Sequence, residues 1–204
     1  MRSFGFIIYQ GFDTLDVMGP LEALQTLARK VSIDVSFIGE TLDPVSPKPA
    51  VMTPISQNAW QDVVPTHTYD NPPSDLEVLM VPGRRSSGRY QDISLTQTGG
   101  AWSRNPDLNT TFDFLKDTYP ELKYFFTACT GSYVAARSGL LDGKRATTNK
   151  AAYTSLTPLV PAVDWVPHAR WVVDGNIWTT SGKNEVSNTS QHELTFGQRC
   201  VRRH

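Results

Sequence analysis

"YFFTACTGSYVAARSGLL", residues 124–141, decides how this chain is read. An apolar run from Tyr124 to Phe126 stops at a cysteine, and a string of small residues then opens a helical pattern. A sharp strand-to-helix turn lifts one side chain above the sheet and is strained, so it needs tiny neighbours. Ala128, Gly131 and Ser132 supply them. On this reading Cys129 stands at the carboxyl end of a strand, where the N–H groups opening the next helix favour a thiolate and lower its pKa. The N–H of Thr130 leads a set of donors for developing negative charge on a substrate, with Gly131 beside it. The competing reading is a small hydrophobe filling the core.

Working outward, short and fully apolar runs occur at Phe4–Tyr9, Val35–Ile38 and Val78–Val81, as expected of strands covered on both faces. Helical patterns fall between them, at Pro20–Arg29 and Leu108–Lys116, the first with its proline near the opening turn and the second stopping near Tyr119-Pro120. Strand and helix in alternation predict a parallel sheet with helices packed on it, with ligands bound outside the carboxyl ends of the strands. Pro44–Pro54 reads as a loop and Ala169–Ser181 as a hairpin turning at Asp174-Gly175.

The chain has 204 residues, enough for one sizeable core. Its 19 Lys and Arg against 20 Asp and Glu are scattered, which leaves no electrostatic footprint for nucleic acid or an anionic membrane. The apolar run of "MRSFGFIIYQGF" is too short for a secretory signal, and no stretch approaches a membrane span. A soluble, cytoplasmic protein acting on a small molecule is the expectation. Two cysteines, Cys129 and Cys200, make no disulfide framework, and the histidines at 67, 168, 192 and 204 lack metal-ligand spacing, so no metal is expected.

Two further stretches supply chemistry that a reacting cysteine needs. "GFDTLDVMGPLEAL", residues 11–24, places Asp16 just before a helix whose start Gly19 and Pro20 shape. Asp16 is either an ordinary first-turn acid or, if this loop meets the cysteine, a carboxyl group that passes protons to and from a substrate. "EVLMVPGRRSSG", residues 77–88, ends a buried strand in Pro82-Gly83, where glycine lets backbone approach a ligand and its N–H is a second candidate oxyanion donor. Arg84 and Arg85 read as solvated side chains.

Taken together, "LDVMGPLEAL", "LMVPG", "TACTGSYVAARSGLLDGKRATTN" and "ARWVVDGNIWTTSG" resemble the ThiJ/PfpI superfamily, the cysteine branch related to class I glutamine amidotransferases, with isonitrile hydratase-like proteins as the nearest likeness. The resemblance covers about residues 4–182. It implies a flavodoxin-like three-layer α/β/α sandwich with a mostly parallel sheet, a homodimer and no cofactor. By position, Cys129 matches the nucleophile, Asp16 its carboxylate partner and Thr130 the residue after the nucleophile, and the implied activity is addition of water to an isocyanide. The rival implication is a non-catalytic or redox-sensing domain, with glyoxalase-like chemistry on small carbonyl compounds between the two.

The sequence departs from the family in three places. Arg84 replaces a second glycine after "PG". Asn149 stands where many relatives carry histidine, and asparagine cannot act as a general base; His168 is a remote substitute. After Gly182 the polar segment 183–204 replaces a covering C-terminal helix and reads as a divergent, poorly ordered tail.

Overall fold

A short strand that is apolar on both faces can only be stable between two layers, and the first strand shows why the core forms where it does. β1 (Arg2–Ile7) has all but its first residue buried, and Phe4, Phe6 and Ile7 are at most 1% exposed. Burying each such side chain contributes about 1.5–3 kcal/mol. The computed structural model describes residues 2–49, 59–84 and 108–182.

β2 (Ile33–Gly39) and β4 (Val78–Val81) flank β1 in parallel, with Phe6 opposite Phe37 on one side and Met80 on the other. β5 (Tyr124–Thr127) pairs in parallel with β4, and β9 (Ile177–Thr180) with β5. The two-residue β3 (His67–Thr68) edges one side, and β8 (Trp171–Asp174) closes the other, antiparallel to β9. The seven-stranded order is therefore β3-β2-β1-β4-β5-β9-β8. A separate ribbon pairs β6 (Arg145–Ala146) with β7 (Asp164–Trp165). The expected mostly parallel α/β architecture is present, and so is the hairpin, in which Gly175 takes a φ of +61°.

The order places the site. From β1 the chain winds outward through β2 and β3, then returns to lay β4 on the other side of β1. Such a reversal opens a crevice beyond the carboxyl ends of the strands on either side of it. The loops leaving β1, β4 and β5 lie at that point.

The helices differ from expectation at one important place. α1 (Thr14–Ala28) begins six residues before Pro20, because Asp13 in extended conformation caps it and accepts a hydrogen bond from the Leu15 N–H at 3.3 Å. Asp16 thus lies in the first turn, and Gly19 and Pro20 lie inside the helix. Proline has no N–H for the carbonyl four residues back, that of Asp16, a loss the tertiary packing of α1 outweighs. α2 (Asn109–Thr118) stops just before a 3-10 turn at Tyr119–Glu121, as the proline there requires. α3 (Gly131–Arg137) follows the cysteine, and α4 (Tyr153–Leu156) is a single turn. Of the expected loop 44–54, the described part holds a bridge between Val45 and Val63. Cys200, Arg85 and the tail from 183 lie outside the described residues. Among the described residues, no helix is long and apolar enough to cross a membrane.

Candidate functional site

The turn after β5 has the geometry its small residues suggest. Cys129 has a φ of 56° and is, among the described residues, the one non-glycine in the left-handed region. A side chain held there costs about 1–3 kcal/mol, so the surroundings must impose it. They do so through the Cys129 carbonyl, which accepts from Ser132 Oγ at 3.1 Å and Thr148 Oγ1 at 3.2 Å, and through the Gly131 N–H, which donates to the Ala128 carbonyl at 2.8 Å. Gly131 is sterically obligatory: a Cβ there would lie 2.2 Å from the Val81 carbonyl oxygen and 2.7 Å from that of Pro82. The ligand-facing donor expected at Gly131 is therefore a turn donor, and the residue's smallness lets β4 and the cysteine turn touch.

Asp16 and Cys129 meet across Gly83. The Gly83 N–H donates to Asp16 Oδ2 at 2.9 Å, while its carbonyl accepts from the Asp13 N–H at 2.7 Å. A Cβ on Gly83 would stand 2.6 Å from Asp16 Oδ2, 2.9 Å from Cys129 Cβ and 3.1 Å from Thr130 Oγ1. Acid and thiol thus border the same glycine, and both side chains are buried, each 3% exposed. The Gly83 N–H, a candidate oxyanion donor in the sequence, is here engaged by the carboxylate. Tyr9 ties the underside of this loop by donating its hydroxyl to the Pro82 carbonyl. Gly19 lies inside α1, in its second turn.

On the other side of the sulfur stands Asn149. Its Nδ2 donates to Cys129 Sγ at 3.2 Å and to the Ser181 carbonyl at 3.4 Å, while its Oδ1 accepts from the Ala152 N–H at 3.2 Å. A backbone donor on one end and two acceptors on the other fix which end of the amide faces the sulfur. Sequence reasoning registered Asn149 only as a missing histidine. Its position in the family motif was the available signal, and its donor capacity was the part left unread. His168 is exposed in the turn before the hairpin. Gly182, with φ +92°, closes over the site: a Cβ there would be 2.5 Å from Cys129 Cβ and 3.0 Å from its Sγ.

Electrostatically, the expectation of a depressed thiol pKa is reversed. Burial, and then the Asp16 carboxylate, push Cys129 up to about 12, against the opposing pull of the Thr130 N–H and the Asn149 amide. The helix that was to supply a positive end is only seven residues long. Tyr9 is likewise held well above its ordinary range, chiefly by burial, with Arg84 opposing and Tyr69, Asp16 and Cys129 adding. Arg84 is also corrected: it is buried, at 4% exposure. Its N–H donates to Thr130 Oγ1 at 2.9 Å and its carbonyl accepts from the same hydroxyl at 3.2 Å, so Thr130 clamps the loop after β4 to the cysteine turn. Among the described residues, no group of three or more His, Cys, Asp and Glu side chains is arranged to hold a metal.

The sequence model of the DJ-1/PfpI family matches residues 2–190. Isonitrile hydratase of Pseudomonas putida is 29% identical over 197 residues, which are 97% of this chain and 71% of that protein. Among solved structures, a ThiJ/PfpI family protein from Pseudomonas syringae superposes with a TM-score of 0.65 at 25% identity, covering 98% of this chain and 67% of that one. An AraC family transcriptional regulator from Pseudomonas putida shares the fold, with a TM-score of 0.63 at 16% identity over 98% of this chain and all of the other.

Proposed function

This chain belongs to the DJ-1/PfpI family, and on that footing we propose that it is a cysteine-dependent hydratase of the isonitrile type, adding water to an isocyanide to give an N-substituted formamide. The observation that carries the reading is the placement of Asp16 Oδ2 and Cys129 Cβ 2.6 and 2.9 Å from the one point where a Gly83 side chain would begin. The 29% identity to an isonitrile hydratase over 97% of the chain supports it.

With the thiol pKa near 12, the resting pair is a protonated sulfur beside an acidic residue. The proton therefore leaves the sulfur as the carbon–sulfur bond forms. Sγ attacks the terminal isocyanide carbon, Asp16 takes the thiol proton and delivers it to that carbon, and a thioimidate results. Water adds its oxygen to the same carbon and a proton to nitrogen. Collapse of the adduct breaks the C–S bond, returns the hydroxyl proton to sulfur and releases the formamide. The Asn149 amide, donating at 3.2 Å, holds negative charge on Sγ whenever the sulfur is unprotonated, and the Thr130 N–H assists. No cofactor enters the sequence of steps, and a cytoplasmic homodimer is part of the same reading.

A second reading, a ligand-binding or redox-sensing domain without turnover, is favoured by the 3% exposure of Cys129, and of its two forms the high pKa supports ligand binding, since oxidation needs an accessible thiolate. The deciding experiment incubates the protein with an isocyanide, methylglyoxal or dilute peroxide in parallel and follows formamide, lactate and the mass of Cys129. Formamide production that disappears in Cys129→Ala, with the fold intact by circular dichroism, is the expected result. Undiminished production in that variant would remove the mechanism, and mass gain without product would favour the sensor.

A further inference from the structure

Arginine is almost never fully buried unless paired, and Arg84 is the exception that the proposed chemistry leaves unused. Only 4% of it is exposed, its Nη2 has no hydrogen-bond partner, and among the described residues no carboxylate forms an ion pair with it. A guanidinium stays charged in proteins, and taking that charge from water with no counter-charge among the described residues is costly. Water satisfies a donor in such a place, but only an anion offsets the charge.

The backbone of Arg84 is fixed relative to the sulfur. Thr130, the residue after the cysteine, binds both its N–H and its carbonyl, and an antiparallel bridge to Phe12 holds it from the other side. The side chain runs past Gly11, with Nε 3.8 Å from where a Gly11 Cβ would be. The Tyr9 hydroxyl donates to the Pro82 carbonyl, and Gly83, the next residue, is the one that Asp16 and Cys129 border. The guanidinium therefore springs from the residue that follows this junction.

We propose that the Arg84 guanidinium is a subsite for a carboxylate carried by the small molecule that reacts at Cys129. It rests on Cys129 being the reacting atom. The planar fork of a guanidinium matches the two oxygens of a carboxylate. One unpaired positive charge balances a single negative charge and leaves the second charge of a phosphate dianion uncompensated. The substrate class is a short isocyano acid in place of a neutral isocyanide.

Two arms test this. In Cys129→Ala protein, which cannot turn over, calorimetry compares N-formylglycine with its methyl ester. The acid is expected to bind about 10- to 100-fold more tightly, the range of a hydrogen-bonded charge pair, and Arg84→Met in that background is expected to abolish the difference while leaving the ester unchanged. Arg84→Lys keeps the charge without the fork and gives an intermediate preference, which decides the matter if the methionine variant fails to fold. In the otherwise unmodified protein, kcat/KM for isocyanoacetate is compared with that for its methyl ester. Equal affinities for acid and ester, or a preference that survives Arg84→Met, would overturn the subsite. Arginine-dependent binding of the acid without any isocyanide turnover would instead overturn the hydratase reading and leave the subsite standing.

Discussion

Two flanks approach the Cys129 sulfur, and they differ in charge. One, built from the loops after β1 and β4, brings the Asp16 carboxylate, which holds the proton on sulfur and raises the thiol pKa. The other, between β6 and α4, brings the Asn149 amide, a donor that cannot titrate and that favours the ionised sulfur. Burial and then the carboxylate outweigh the amide, so the resting state is a thiol. On the proposed reading, a cysteine poised between an acid and a neutral donor is activated by the arrival of its substrate, whereas one beside an imidazolium is ionised beforehand.

The contrast is sharpest in substitutions that keep shape and change charge. Asp16→Asn retains an acceptor for the Gly83 N–H and removes the negative charge. Turnover is expected to fall about 100-fold or more, the scale of general acid–base assistance, while iodoacetamide labelling of Cys129 at pH 8 becomes faster. Asn149→Asp retains the acceptor for Ala152, loses the donor and adds a second acid. Turnover falls about 10- to 100-fold, as expected for a hydrogen bond to a charged atom, and labelling becomes slower. Labelling rates that move in the same direction in both variants would break the two-flank picture.

The smallest effect is on stability. Below about pH 9.0, the ordinary value, the thiol is protonated folded or unfolded and contributes no pH dependence. Between 9.0 and about 12 the unfolded chain loses the proton and the folded one keeps it, so stability falls as pH rises. Denaturant midpoints at pH 8, 10 and 11 should therefore decline more steeply for the native sequence than for Cys129→Ser. A parallel decline would show that the buried sulfur is ionised as readily as a free one.

Much of this was legible in the sequence, for physical reasons. Strands covered on both faces give unbroken apolar runs, so Val78–Val81 was readable to the residue. The cysteine turn was readable because only tiny residues fit it. The start of α1 was misread because Pro20 in a helix interior is costly and suggests an opening turn, whereas the Asp13 cap, one polar residue among many, decides the start. Arg84 and Asn149 were opaque for a different reason. Whether an arginine is buried, or which end of an amide meets a sulfur, depends on segments such as Thr130 and Ala152 that only the assembled fold brings near.

The left-handed φ of Cys129 bears on which residue the turn itself would prefer at this position. Glycine adopts that conformation without steric penalty, so the bare polypeptide would be more at ease with no side chain there. A sulfur held where the backbone would prefer hydrogen costs the fold stability, a cost that the proposed chemistry would account for.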